Sequence, residues 1–482
     1  MEIEEEPHIR TNPQRRSRFL MEIVRLVESK FLSVAEKILE VLEGNCDFRA
    51  FEAKLKKELD SLGCEILKEV LETLDRKYRE SEERKRNWTI VRNKDPKSIL
   101  TPFGTLEFER TYYRHKQSRR YAYLVDEKVG IKPHERVGVN LKADLTEACA
   151  SMSYEEATLQ ISRHNSELKV SKQTAAACVK EFEAQKAAAP PMKRRVPVLY
   201  VEADEDHVEV RGRGGVQARL IYVHEGIEKE PRPHLKNARY FTTVSKSPEK
   251  FWMEVCDYIV AHYEFSSIKT IYLSGDGAPW IRAGQEYIPG SIFILDRFHL
   301  CKYILMATAH APDLRAPIFE GIQKLKKQAV LGHLREALRL ADTPARKKRI
   351  RKTITYVENN WDGIEAGVKN PHVGCSAEGH VSHILAARLS SRPMAWSLQG
   401  AENIASMRVV KANGETVRNH YLASKEPSSG IVELNFEVKR ELRRLRDKRV
   451  IGKEHLNNVP LFNGRSSLTR MALKGLNKQM AI

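Results

Sequence analysis

Three acidic residues stand in settings where carboxylates do chemistry: Asp204 in VLYVEADEDHV, Asp276 in IYLSGDGAPW and Glu378 in GCSAEGHVSH. The first two lie at or near the ends of apolar, strand-like runs, and the third opens a helix-like run. Carboxylates are hard oxygen ligands that suit Mg²⁺ or Mn²⁺. Two such ions stabilise both the attacking and the leaving oxygen when a phosphodiester is cut or joined. Each acid also has a plainer reading. An Asp after a strand is commonly a turn residue, and a Glu in a first helical turn complements the helix dipole. Asp206 falls on the same side of an extended strand as Asp204 and competes for the place of first ligand. Gly275 and Gly277 flank Asp276 and let backbone and substrate come close. A soft-ligand alternative would use His372, Cys375, His380 and His383 for zinc, but no CxxC or HxxxH pair supports it. His380 and His383 are expected near the phosphate or the metal shell.

These acids need elements to hold them, and the stretch from 196 supplies a pattern. VPVLYVEAD, ARLIYVHEGI and ARYFTTVS read as three successive strands, and EKFWMEVCDYIVAHY as an amphipathic helix. KTIYLSGDG is a fourth strand, SIFILD a fifth, and FHLCKYILMATAH the helix after it. Three strands, then helix, strand, helix, strand, helix is the element order of the ribonuclease H-like fold, a fold-level inference from order alone. Residues 312–370 interrupt it with a basic helical insertion that includes Arg346, Lys347, Lys348 and Arg349. Those side chains would hold phosphates; the plainer reading is a solvated helix face. Trp361, at the end of the insertion, would stack on an unpaired base or else sit in the core. The core resumes over 371–430 with Glu378, and 431–482 is a basic tail.

Upstream, 1–87 reads as helical. Leu20 to Leu42 and Phe51 to Leu74 form two apolar stripes around a turn at EGNCD, a hairpin packing on itself or a dimerisation stripe. Residues 88–137 read as a β-hairpin around Pro102–Phe103–Gly104. Its second strand ends in Arg110, Tyr112, Tyr113, Arg114, His115 and Lys116, a mixture that suits nucleic-acid contact or defends an exposed edge. Residues 138–186 return to helix with Ser153 and Ser171 as N-caps. The rhythm is that of a helix-turn-helix whose last helix would present Lys172, Gln173 and Thr174 to base edges. AAAPPMKRR at 187–195 is the linker before the 196–311 core segment.

Composition agrees with a polyanionic partner. The chain has 482 residues, 82 basic against 64 acidic, and a formal net charge of +18. No long uncharged apolar run is present, so no transmembrane helix and no membrane partner are expected. The start MEIEEEPHIR lacks the basic-then-apolar order of a signal peptide. Seven scattered cysteines without a CxxC pair point to reduced thiols in a cytosolic protein.

The strings EADEDHV, SGDGAPWI, LDRFHLCKYI and GCSAEGHVSHILAARLSSRPMAWS resemble the transposases of the insertion-sequence family designated Lre-two, which is similar to mutator-like DDE transposases. The resemblance covers most of the chain. It implies an α/β ribonuclease H-like catalytic core with an all-α insertion, preceded by helical and small β-hairpin and helix-turn-helix regions. It implies Asp204, Asp276 and Glu378 as catalytic, metal-binding triad with two Mg²⁺ or Mn²⁺ ions, and support from Asp296 and His299 in the run Asp296-Arg297-Phe298-His299. It also implies DNA partners (element ends and target), a homo-oligomer that joins two ends, and a cytoplasmic, nucleoid-associated setting in a prokaryote. Cleavage followed by strand transfer needs no covalent enzyme–DNA intermediate, so no Tyr or Ser nucleophile is required. The competing expectations are a catalytically silent DNA-binding descendant of a transposase and a ribonuclease H-like nuclease.

Overall fold

Strand periodicity explains how the acids come to share one face. In the computed structural model, which describes residues 34–425 apart from 37, 40–42, 45, 46, 166, 167, 289 and 393, a five-stranded mixed sheet forms the centre. The expected stripe from Leu20 to Leu42 lies largely outside the described residues, and the basic tail from 431 lies wholly outside them.

Residues 34–36, 38 and 39 are helical, and after them come α1 (Phe48–Glu80), whose N-cap Asp47 accepts from the Ala50 N–H, and α2 (Glu82–Asn87). The hairpin follows as β1 (Trp88–Thr101) and β2 (Gly104–His115), with Thr101 paired to Gly104 across the turn. Tyr121–Ala122 (β3) adds a short third strand, and α3 (Leu124–Val129) follows. Asp75 of α1 is buried and accepts from the Thr111 backbone N–H at 2.9 Å and its hydroxyl at 2.6 Å, which ties the helix to the hairpin. The aromatic and basic run of β2 divides between buried and exposed positions. Tyr113 is fully buried and Arg110 is buried in an ion pair with Asp126, while Arg114 and Lys116 are exposed. The run therefore does not face a ligand as one strip.

Three helices come next: α4 (Val139–Cys149), α5 (Tyr154–His164) and α6 (Lys172–Lys180). Ser153 caps α5 in a full capping box with Glu156, and the Ser171 hydroxyl accepts from the Thr174 N–H at 3.1 Å to cap α6, as the sequence predicts. Cys149, Ala175, Cys178 and Val179 share one apolar cluster with Val208, Leu220 and Tyr222 of the sheet, so this helical region packs on it. Lys172 and Gln173 remain exposed at the start of α6, and Thr174 is half-buried.

The sheet is built from β4 (Val198–Val210), β5 (Gly214–His224), β8 (Arg239–Thr243), β9 (Thr270–Gly275) and β10 (Ile292–Leu295); Ile227–Glu228 (β6) and His234–Leu235 (β7) form a separate small ribbon. Strand order is β10-β9-β4-β5-β8. The β4–β5 and β5–β8 pairs are antiparallel, and the β4–β9 and β9–β10 pairs parallel. Helices α7 (Pro248–His262) and α8 (Arg297–Ala307) provide the flanking layer. This arrangement resembles the ribonuclease H-like core topology that the element order predicts.

Odd-numbered residues of β4 (Leu199, Val201, Ala203) join Trp252, Leu273 and Ile304 in one core. Even-numbered Val208 and Val210 face the opposite side, where Val208 joins Leu220, Tyr222, Leu385 and Ile404. Glu202, Asp204 and Asp206 share that second side. The insertion is all-helical: α9 (Arg315–Gln323), α10 (Lys327–Leu340), α11 (Pro344–Asn359) and α12 (Trp361–Lys369). Its Ile318, Leu334, Ile350 and Val357 extend the first core, and Trp361 is buried there. A buried ring has no face left for a base, which corrects the stacking expectation for Trp361. Beyond the insertion come α13 (Ala377–Val381), a π-helical turn over Ser382–Ala386, α14 (Leu398–Ala412) and α15 (Val417–Ala423).

Candidate active site

Asp204 is buried on β4, two residues past the end of its parallel pairing with β9, which stops at Glu202. The sequence placed it at a strand end. The strand in fact continues to Val210 against β5, so Asp204 is a mid-strand residue at the point where one neighbour leaves. Its Oδ1 accepts from the Glu205 N–H at 2.9 Å. Burial pushes its carboxyl up to about 7, and the nearby charges of Asp276 and Glu378 push the same way. The Glu205 N–H and His299 oppose that rise. Asp204 thus feels two carboxylates from distant parts of the chain.

Asp276 follows β9 directly. Its Oδ1 accepts from the Ala278 N–H at 2.8 Å, and its carbonyl accepts from the Tyr356 hydroxyl at 2.7 Å. The flanking glycines are required by close approach of protein to protein. A Cβ on Gly275 would lie 2.8 Å from the Ala203 carbonyl oxygen. Gly277 has φ +89°, and a Cβ there would lie 2.5 Å from the Asn360 side chain. Tyr356 and Asn360 belong to the insertion, which is how that insertion locks onto the second acid.

Asp296 caps α8 by accepting from the Phe298 N–H at 3.0 Å, and its other oxygen lies 2.7 Å from His299 Nδ1. The carboxylate fixes Nδ1 as the donor and leaves Nε2 facing Glu378, 3.7 Å from Oε2. Hydrogen bonding to Asp296 raises the His299 pKa against the effect of burial, helped by Asp204 and Asp276. Glu378 is 59% exposed on the first turn of α13. Its chain neighbour Ser376 does not cap that helix. The Ser376 N–H and hydroxyl bond Glu202 Oε2 instead, the hydroxyl at 3.2 Å.

Glu202 is the residue that the sequence reading missed. It is buried, accepts from the Tyr222 hydroxyl, and pairs through Oε1 with His224 Nε2 at 3.0 Å. Burial would raise its carboxyl, yet the His224 and Tyr222 hydrogen bonds bring it below the usual range. Burial raises Tyr222 far above the ordinary phenol range. Glu202 therefore anchors the start of the Glu378 helix to β4. The only sequence signal is a third acid at period two before Asp204 and Asp206. Glu202→Ala should destabilise the fold by about 3 kcal/mol or more, since it removes the carboxylate that the Tyr222 hydroxyl, His224 Nε2, the Ser376 N–H and the Ser376 hydroxyl share. Chemical denaturation checks this; a change below about 1 kcal/mol, the range of an ordinary surface substitution, contradicts the anchoring role.

Asp206 lies beside Asp204 on the same face, and its Oδ2 is buried without a hydrogen-bond partner among the described residues. His380 packs on Tyr222 and Tyr240, with Tyr240 Oη 3.2 Å from its Nδ1, and burial lowers its pKa. His383 is exposed, and its carbonyl accepts from Arg408. His380 is thus one shell away from the acids through Tyr222, and His383 is not drawn into the cluster. Of the insertion cations, Arg346 pairs with Asp342, Lys347 is half-buried, and Lys348 and Arg349 are exposed. Among the described residues, no group of three or more His, Cys, Asp or Glu side chains is placed to hold a metal ion. The acids are coupled in charge without closing into a ligand set.

The family model of UPF0236, an uncharacterised protein family, matches residues 42–426. A UPF0236 protein of Caldanaerobacter subterraneus subsp. tengcongensis, whose name joins eleven gene designations, is 37% identical over 429 residues, covering 88% of this chain and 90% of that protein. A second from the same organism is 36% identical over 441 residues, covering 90% of this chain and 94% of the relative. A third, whose name joins four designations, is 36% identical over 441 residues, with 90% and 93% covered.

Proposed function

We propose that this chain, which belongs to the uncharacterised protein family UPF0236, is a DNA transposase that cuts and rejoins phosphodiesters at the ends of an insertion element. The observation that carries the reading is that residues far apart in the chain meet beside a ribonuclease H-like sheet: Asp204 is buried on β4, and His299, held by Asp296 at 2.7 Å, faces Glu378 at 3.7 Å.

The donor chemistry, hard carboxylate oxygens, suits divalent ions, and the described acids would have to close around them. Asp276 and Glu378 both press on the buried Asp204 carboxylate, opposed by the Glu205 N–H and His299, and Asp206 Oδ2 is a buried oxygen without a hydrogen-bond partner among the described residues. Asp204, Asp276 and Glu378 would hold two Mg²⁺ or Mn²⁺ ions, which supply Lewis-acid stabilisation of the attacking and leaving oxygens. The chain's own groups do the rest. His299, held at Nδ1 by Asp296, orients Glu378 and can hold a proton at Nε2. Tyr356 pins the backbone of Asp276 from α11. Arg349 lies two turns before Tyr356 on that helix, about 10 Å along it, so the exposed Lys348 and Arg349 extend from the site as a phosphate path.

Element recognition is assigned to α4–α6, with Lys172, Gln173 and Thr174 at the start of the last helix reading bases. DNA is the partner, and a homo-oligomer holds two element ends together. The relatives' names support mobility. One protein name that joins eleven gene designations describes a sequence repeated in its genome, which is what a self-copying or self-moving element leaves behind.

A second reading has its own observation. The described acids do not close into an ion-holding group, as expected of a DNA-binding descendant that has lost chemistry. The decisive assay incubates the purified protein with DNA carrying the repeats that flank its gene, with Mg²⁺ or Mn²⁺. Cleavage at the repeat ends followed by joining to a target is the expected result. End binding without cleavage under any metal supports the silent protein. Cleavage of branched or hybrid substrates with no preference for the ends supports a nuclease.

None of the helices among the described residues is long and apolar enough to cross a membrane.

A further inference from the structure

The hairpin carries a concave surface that the proposed reaction does not use. A cavity of about 910 Å³ opens between β1, β2, β3 and the segment after α3. Its wall is a stack of tyrosines. Tyr112 lies 5.5 Å from Tyr121 with the rings 17° from parallel, and 4.7 Å from Tyr123 with the rings tilted by 39°. Arg92 sits over Tyr112 and Arg110 over Tyr123, which stiffens the stack. Tyr121 ends the series and is 51% exposed.

The charges around this wall do not cancel. Both carboxylates that line the cavity are already engaged, Asp126 with Arg110 and Glu127 with Arg120 at 3.0 Å. Asp95, outside the lining, pairs with the lining residue Arg92 at 2.9 Å. That leaves Lys97 and Arg136, which line the same cavity and have no carboxylate within ion-pair distance among the described residues. Glu135, the acid acting on Lys97, is committed to Lys142 at 2.8 Å. Burial lowers the Lys97 pKa, and Arg110 and Arg136 press it the same way. A half-buried ammonium facing two guanidinium groups lacks an anion.

We propose that this cavity binds a segment of single-stranded DNA, with phosphates at Lys97 and Arg136 and one base stacked on Tyr121. The proposal rests on the reading of DNA as the partner and names where an unpaired strand is held. Unpaired cations beside a stiff aromatic ledge match the two parts of a nucleotide strand: a charged backbone, and a flat base that is available only when the duplex is open. A duplex hides its base faces in its own stack, so the Tyr121 ledge selects for the open strand. The site is separate from the acids, so binding is measurable without divalent metal.

The test is fluorescence anisotropy of the full chain with a labelled single-stranded oligonucleotide, without divalent ions and across a salt series. Lys97→Ala with Arg136→Ala should weaken binding at least tenfold and flatten the salt dependence by about 1.4 in log–log slope, two phosphate contacts being lost. Tyr121→Ala should weaken it about tenfold and Tyr121→Phe should not, because a phenyl ring keeps the stacking face. Unchanged melting and circular dichroism establish that the variants fold. Native-like affinity in folded Lys97→Ala/Arg136→Ala or Tyr121→Ala overturns the proposal. So does a duplex that binds through the same residues with equal affinity. Polyglutamate that binds as tightly, and is lost in the cation variant but not in Tyr121→Ala, also overturns it in favour of an acidic polypeptide. Strand binding through this cavity in a protein that never cuts would leave the inference standing and remove the transposase reading. Cutting by variants that bind normally would do the reverse.

Discussion

Asp276→Ala and Glu378→Ala should each abolish strand cleavage and joining while leaving DNA binding within a few-fold of native. Glu378 is the sharper test. Its side chain is mostly exposed on a short helix whose hold on the sheet comes from Ser376 and Glu202. Removing it should cost little stability, since a partly exposed side chain outside the core carries little packing. Asp276 loses one local hydrogen bond, to the Ala278 N–H, and keeps the Tyr356 bond because that bond goes to its backbone. Neither change dismantles the site, so a lost reaction reports lost chemistry. Removing one ligand of a pair of ions takes away several kcal/mol of charge stabilisation at the reacting oxygens, which corresponds to a rate loss of about 10³ or more. Single-turnover cleavage of end-bearing DNA, followed on a denaturing gel, reads this directly. A Glu378→Ala protein that cuts within tenfold of the native rate removes Glu378 from the triad. Removing a carboxylate from a site that meets phosphates should also tighten metal-free DNA binding slightly, so a large loss of affinity would mean that the residue holds DNA.

The sheet was legible because each strand carries its own apolar run and the acids sit where those runs give way. The antiparallel trio and the parallel pair follow from what the connections carry: a tight turn between β4 and β5, the β6–β7 ribbon between β5 and β8, and helix-bearing links before β9 and β10. What stayed hidden depends on contacts between residues far apart in the chain. Glu202 looks like one more acid in a charged string, and only the register of β4 against β5 places Tyr222 and His224 beside it. Tyr356 sits in a basic helix that reads as a solvated phosphate binder, and its hydroxyl reaches Asp276 only once the insertion folds back. Trp361 and Tyr113 carry the same uncertainty in the opposite direction. An aromatic beside charged residues has the same local sequence whether it faces solvent or core, and here the core takes both.

The same face explains why Asp204 could not be separated from Asp206 in the sequence. Period two puts both aspartates on the side where α13 packs. The structure distinguishes them by environment: Asp204 is buried and feels Asp276, Glu378 and His299, while Asp206 leaves an oxygen unpaired nearby. On the proposed reading Asp204 would be the ligand, with Asp206 beside it.

Metal-free protein should lose stability as pH rises from about 4 to 7, and Asp204→Asn should remove most of that loss. The sign follows from linkage. The Asp204 carboxyl is raised from 3.8 to about 7 in the folded chain. A group whose folded value lies above its unfolded value contributes stability that is present below the unfolded value and is lost as pH climbs through the folded one. Between those values the folded chain holds a proton that the unfolded chain has released, so each added pH unit favours unfolding. A shift of about 3 units corresponds to roughly 4 kcal/mol at most, and partial solvent access lowers the realised figure to about 2–4 kcal/mol. At pH 8 the asparagine variant, neutral and nearly isosteric, should therefore melt higher than native protein, whereas at pH 4 the two should coincide. Mg²⁺ or Mn²⁺ should raise the native melting temperature at pH 8 and do much less for Asp204→Asn, because an ion offsets a charge that the variant no longer has. Differential scanning calorimetry across this range, with and without the ion, distinguishes the causes. Equal pH slopes for native and variant would mean that Asp204 is not the titrating group. An ion that stabilises both proteins equally would mean that it binds away from this carboxylate.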